Sequence, residues 1–147
     1  MRSLKLIVVL TLAAILAGPL LAAAPDGLSV TDAWFRSLPA GLPAAGYFAL
    51  TNKSHDSIEL VSASSPDCRM LMLHLSENNN GVSQMSDLSK VDLAAGQTVH
   101  FSPGGYHLMC MQPAAALKPG AHVPVTLHFS GGSQITVSFA VRTATGQ

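Results

Sequence analysis

The sequence predicts an all-β sandwich, on three observations. Short runs rich in Val, Ile, Leu, Phe, Tyr and Thr recur along the chain after the first 24 residues. Gly, Pro and Asn clusters separate them at close spacing, and no stretch carries the period of a long helix. The last two runs alternate apolar and polar residues, as a half-buried antiparallel hairpin does.

In chain order, Leu28 to Phe35 is the first strand candidate and Ala44 to Thr51 the second, with the Pro39 to Pro43 turn between them. Asn52 to Asp56 is a polar turn and Ile58 to Val61 a short apolar strand. Arg69 to Leu75 follows. Ser76 to Gly81 contains three consecutive asparagines and is expected to be a loop. Val82 to Leu88 and the segment around Val99 to Phe101 are shorter candidates. Pro103-Gly104-Gly105 makes a turn before the strand Tyr106 to Met111. Val123 to Phe129 places Val123, Val125, Leu127 and Phe129 on one face. After a turn at Ser130 to Ser133, Ile135, Val137, Phe139 and Val141 do the same on the return.

The N-terminus has the layout of a secretory signal. Arg2 and Lys5 precede an uncharged apolar run from Leu6 to Leu21, and Ala22-Ala23-Ala24 offers small residues for cleavage after residue 23 or 24. Pro19 and the alanines suit a cleavage region better than a membrane anchor, so no stable membrane insertion is expected afterwards. With no cysteine near the cleavage site, a lipid anchor is not expected either. Residues 1–24 are therefore assigned to the signal and 25–147 to one domain of ordinary size. Without Arg2 and Lys5, six basic side chains face eight acidic ones, a net charge of −2 with histidines neutral. Scattered charge of this kind gives no electrostatic case for nucleic acid or an anionic membrane.

Cys68 and Cys110 permit one disulfide in an exported protein. Two buried thiols, or a thiol near a metal, are the alternatives. No GxSxG, P-loop, HExxH or CxxC motif occurs, and no paired acid and base suggests an enzyme.

What stands out is histidine with methionine. His74 is followed after ten residues by Met85, after twenty-one more by His107, and two residues later by Met109. Residues i and i+2 of a strand share a face, so His107 and Met109 can approach one ion together. Thioether and imidazole suit soft Cu(I), whereas Mg²⁺ and Ca²⁺ want oxygen ligands. A thioether also survives an oxidising compartment and needs no deprotonation. Met70, Met72 and Met111 read as core filling, with Met72 and Met111 sharing a strand face with the ligands and able to stand behind them. His55 and His122 read as surface residues, His128 falls on the polar side of its strand, and His100 is left open.

The spacing His74-x10-Met85-x21-His107-x-Met109 resembles the copper-binding signature of the periplasmic copper chaperones called PCu(A)C. Asp32-Ala-Trp-Phe-Arg-Ser-Leu-Pro39, Ala44-Ala-Gly-Tyr-Phe-Ala-Leu-Thr-Asn52, Pro103-Gly-Gly-Tyr-His-Leu-Met109 and Lys118-Pro-Gly-Ala-His-Val-Pro-Val-Thr-Leu-His-Phe129 resemble that family's strands and metal turn. The resemblance spans the chain after the signal. It implies a cupredoxin-like Greek-key sandwich that holds Cu(I) with His74, Met85, His107 and Met109. It further implies transport through the periplasm to the copper centre of a respiratory oxidase subunit, or to another copper chaperone. Leu75 stands where an acidic residue is common in the family, Gln84 where a second methionine often occurs, and Cys110 where an aliphatic residue is expected. The His/Met-rich tail of some members is missing.

Copper sequestration for tolerance shares all these features. An electron-transfer cupredoxin needs a thiolate beside two histidines, and no His/Met pair follows Cys110 at short spacing. The ligands are expected at strand ends and loops along one rim, where a partner could exchange them one at a time.

Overall fold

A computed structural model describes residues 25–147; the signal assignment lies outside them. Ten strands run in chain order: β1 Leu28–Arg36, β2 Ala44–Asn52, β3 Ile58–Ser64, β4 Cys68–Asn79, β5 Val82–Leu88, β6 Val91–Leu93, β7 Thr98–Phe101, β8 Tyr106–Pro113, β9 His122–Phe129 and β10 Gln134–Arg142. The helical elements among these residues are two single turns, at Pro39–Gly41 and Ser130–Gly132. No helix among the described residues is long and apolar enough to cross a membrane.

The strands form one sheet in the order β5-β4-β8-β7-β2-β1-β10-β9-β3-β6, with β8 also pairing β2. Most pairings are antiparallel; β1 runs parallel to β10, and β7 meets β8 in parallel. One core cluster draws on both ends of this order, with Leu73 and Leu108 beside Leu60, Leu93 and Leu127. The sheet therefore folds over on itself as a sandwich, which buries apolar side chains that a flat sheet would leave in water.

Alternation sets what faces inward. In β9, Val123, Val125, Leu127 and Phe129 are buried, as the sequence pattern requires. Across the middle of the sheet, Leu73, Leu108, Gly46, Phe35 and Val141 stand in register as one inward row. Gly46 belongs there for a steric reason. A Cβ at this position would stand 2.8 Å from the Phe35 ring and 3.2 Å from Leu108 Cβ.

The structure corrects one expectation. Ser76 to Asn79 is not loop, because β4 continues through it and pairs with β5 from Leu73↔Leu88 to Asn79↔Val82. The reversal is confined to Asn80 and Gly81, both with positive φ (54° and 84°), the backbone a tight two-residue hairpin demands. Asn78 Oδ1 accepts from the Gly81 amide at 3.0 Å. The Asn run is thus a hairpin tip, and its exposed ribbon projects beyond the core. The structure also adds β6, three residues that pair with β3 and are too short to show a period.

Cys68 and Cys110 are joined as a disulfide, with Cα atoms 5.3 Å apart. This decides among the alternatives left open by the sequence. Cys110 is fully buried on the inward side of β8, so it stands on the opposite face from Met109 and adds no redox-active thiol to it.

Candidate metal centre

The outward face of β5, β4 and β8 carries the His/Met set. In register, His107 of β8 lies opposite His74 of β4, and His74 lies opposite Asp87 of β5. Two pairs along the hairpin, Ser76 faces Met85, so Met85 is a diagonal neighbour of His74 on the same face. Met109 is two residues from His107. Three adjacent strands thereby bring all four sequence-predicted residues together. Antiparallel pairing holds directly opposed Cβ atoms about 4.5–5.5 Å apart, and diagonal neighbours remain within reach of long side chains.

The rings of His74 and His107 stand edge to face with centroids 5.4 Å apart. His107, Met85 and Met109 line a depression of about 100 Å³ together with Arg36, Ala45, Tyr47, Ser76 and Gly104. Both histidines are buried, whereas Met85 is 56% exposed. The cluster therefore has an inner imidazole side and an open thioether lip.

Hydrogen bonding sorts the ring nitrogens. His107 Nδ1 lies 3.1 Å from the Gly105 carbonyl, to which it donates in the neutral tautomer. That bond fixes the ring and leaves Nε2 with its lone pair, the arrangement usual for a metal-bound imidazole. At His74, neither ring nitrogen has a hydrogen-bond partner although the side chain is buried. Asp87 Oδ1 is 2.7 Å from His74 Nε2, but the two are not aligned as a hydrogen bond, and this carboxylate is largely in solvent. Leaving buried polar atoms unpaired costs roughly 1–3 kcal/mol, so the ring is poised to accept a further partner. Two imidazoles and two thioethers suit a soft monovalent ion. Among the described residues, no group of three or more His, Cys, Asp or Glu side chains could hold a harder one.

Burial, first of all, holds the His107 imidazolium pKa below its ordinary 6.5; the nearby His74 and Arg36 push the same way, against the Gly105 carbonyl. The unfolded chain then takes up a proton before the folded one. The stabilising contribution of this group is complete above about 6.5 and is lost as pH falls through the lower folded value. An NMR titration of the His107 ring protons should give a midpoint below the ordinary 6.5, and a midpoint at or above it would refute the assignment.

Some expectations about neighbours change. The candidates do not occupy loops at a rim: His74 and Met85 sit within β4 and β5, and only His107 follows a turn directly. Nor are Met70, Met72 and Met111 core filling, since they lie outside the core cluster and Met70 is 55% exposed. His55 and His122 are exposed as expected, and His128 bonds Ser64 Oγ through Nε2 at 2.9 Å. His100 is exposed too. The sequence reading missed Asp87, although it follows Met85 at strand spacing. It also missed Arg36, whose guanidinium lies 5.5 Å from the Tyr47 ring centroid.

Fold and site together define a class: a cupredoxin-like β-sandwich with a His/Met cluster on one open sheet face. A family model described as "Putative lipoprotein LpqE-like" matches residues 28–141, and the chain belongs to that family. Putative lipoprotein Lxx21020 of Leifsonia xyli subsp. xyli (strain CTCB07) is 34% identical over 122 residues, covering 82% of this chain and 73% of that protein. Uncharacterized protein RP573 of Rickettsia prowazekii (strain Madrid E) is 31% identical over 99 residues; the match spans 67% of this chain but only 55% of that protein. Among solved structures, the copper-bound PCuAC domain from PmoF2 superposes with a TM-score of 0.68 at 20% identity, covering 84% of this chain and 99% of that domain. Cu(I)-bound DR1885 from Deinococcus radiodurans gives 0.62 at 27% identity, covering 86% and 81% respectively. The resemblance to the PCu(A)C family is thereby borne out.

Proposed function

We propose that this protein is an exported carrier that binds one Cu(I) ion through His74, Met85, His107 and Met109 and hands it to an acceptor. The observation that carries this reading is the buried His74 ring, neither nitrogen of which has a hydrogen-bond partner although the exposed Asp87 carboxylate stands beside Nε2, set beside His107 on the face that Met85 and Met109 share. The copper-bound relatives of the same fold support it.

Residues 1–24 serve as the export signal, cleaved after residue 23 or 24, and residues 25–147 act as the copper-binding domain. The disulfide supports an oxidising compartment such as the periplasm. The role is delivery rather than catalysis, because four protein ligands leave no open coordination position for a substrate. Exchange begins at the lip. Met85, on the exposed hairpin and without a charge to neutralise, is displaced first by an incoming thioether or thiolate. The buried histidines release last. The acceptor is a copper-binding subunit of a respiratory oxidase or another copper chaperone.

A Cu(I) competition titration against a chromophoric chelator, followed by mixing with a copper-depleted oxidase subunit, tests both halves. One tight equivalent that moves to the acceptor is expected. Tight binding without transfer would favour sequestration, and the absence of tight binding would overturn the copper reading.

A further inference from the structure

The outward face holds more methionine than one four-ligand site uses. Met70 pairs with Met111 across β4 and β8, and the next outward pair is Met72 with Met109, followed by His74 with His107. Six soft-ligand side chains therefore form three consecutive rungs of one ladder. None of the four methionines joins the core cluster. Met70 and Met111, with Arg69 and Gln112, line a depression of about 280 Å³ at the end of the ladder away from His107.

Methionine is an unusual choice for an open sheet face, where a polar residue would remain soluble and a β-branched residue would favour the strand. A long apolar side chain left 55% exposed gains little by burial. What sets it apart from leucine of similar size is the thioether sulfur, a ligand for soft metals. Opposed Cβ atoms in antiparallel pairs stand about 4.5–5.5 Å apart. Three rotatable bonds then let thioethers from Met70, Met111 and the diagonal neighbour Met72 turn toward a common point.

We propose that Met70, Met72 and Met111 form a second, weaker site for a soft monovalent ion, Cu(I) or Ag(I). Met72 and Met109 link it to the histidine site along the strand. Its all-thioether donor set carries no charge, and Arg69 at its edge opposes a cation, so it holds the ion loosely. Loose binding suits a station at which an ion enters or leaves the histidine site, about 7 Å away per rung. The choice of ion rests on the copper-carrier reading above; the geometry of the site does not.

The test is an Ag(I) titration of the purified protein followed by NMR of ¹³C-labelled methionine methyl groups, repeated on Met70→Leu/Met111→Leu. The first equivalent is expected to shift Met85 and Met109. The second should shift Met70, Met72 and Met111, with an affinity at least a hundredfold lower. In the double variant the second event should weaken at least tenfold while the first is unchanged. Failure of the Met70, Met72 and Met111 methyls to respond at two equivalents would overturn the second site. An unaltered second event in the double variant would do the same. Failure of Met85 and Met109 to respond would instead count against the histidine site, since the two methyl sets report separately.

Discussion

The His107→Ala/Met109→Leu variant is expected to lose the tight Cu(I) equivalent, with an affinity at least about a hundredfold lower than that of the unmodified protein. Changing a group that merely supports a ligand already costs roughly 10–100-fold, and here two ligands go together. Leucine nearly conserves the volume of methionine, and Met109 lies outside the core cluster. Alanine at 107 removes a buried ring but no part of that cluster. The far-ultraviolet circular dichroism and the cooperativity of unfolding should therefore persist. Retention of tight binding in a folded variant would remove both residues from the site.

Reduction of the Cys68–Cys110 disulfide, or its replacement by alanines, should destabilise the protein by about 4 kcal/mol, taking the chain-entropy relation for closed loops and the 42-residue separation. For a domain of this size that corresponds to a fall in Tm of roughly 15 °C or more. The bond joins the beginning of β4 to β8, the two strands that carry His74, His107 and Met109. Its loss should therefore weaken copper binding by loosening the frame, not by removing a ligand. Differential scanning calorimetry beside the Cu(I) titration separates the two effects. A Tm within about 3 °C of the original would show that burial alone holds these strands together.

Much of the fold was legible because strands advertise themselves by alternation. Val123 to Phe129 and Ile135 to Val141 could be paired on paper, and they pair in the structure from Gln134↔His128 to Ala140↔His122. The Asn78-Asn79-Asn80 run misled because asparagine is common both in loops and at the positive-φ corner of a tight hairpin. Only the partner strand distinguishes the two. β6 was illegible because three residues carry no period.

The candidate site divides in the same way. Residue type and spacing singled out His74, Met85, His107 and Met109, and strand parity alone put His107 and Met109 on one face. That Met85 is a diagonal neighbour of His74 follows from the β4–β5 register, which no local pattern contains. Strand parity put Met72 and Met111 on the face of the ligands, but that this face, Met70 included, turns away from the core was hidden, because methionine fills a core as readily as it binds a soft metal. Only the packing of Leu71, Leu73 and Leu108 on the other face shows which side is inward.

By itself, then, the sequence determined an all-β chain and a soft-ligand set. These rest on the two-residue strand period and on side-chain chemistry, both local properties. The tertiary structure alone decided that Cys68 bonds Cys110, that the hairpin carries Met85 alongside the histidines, and that a methionine ladder continues beyond them. Each depends on which strands become neighbours and in what register, and that is settled by burying one face of the whole sheet at once.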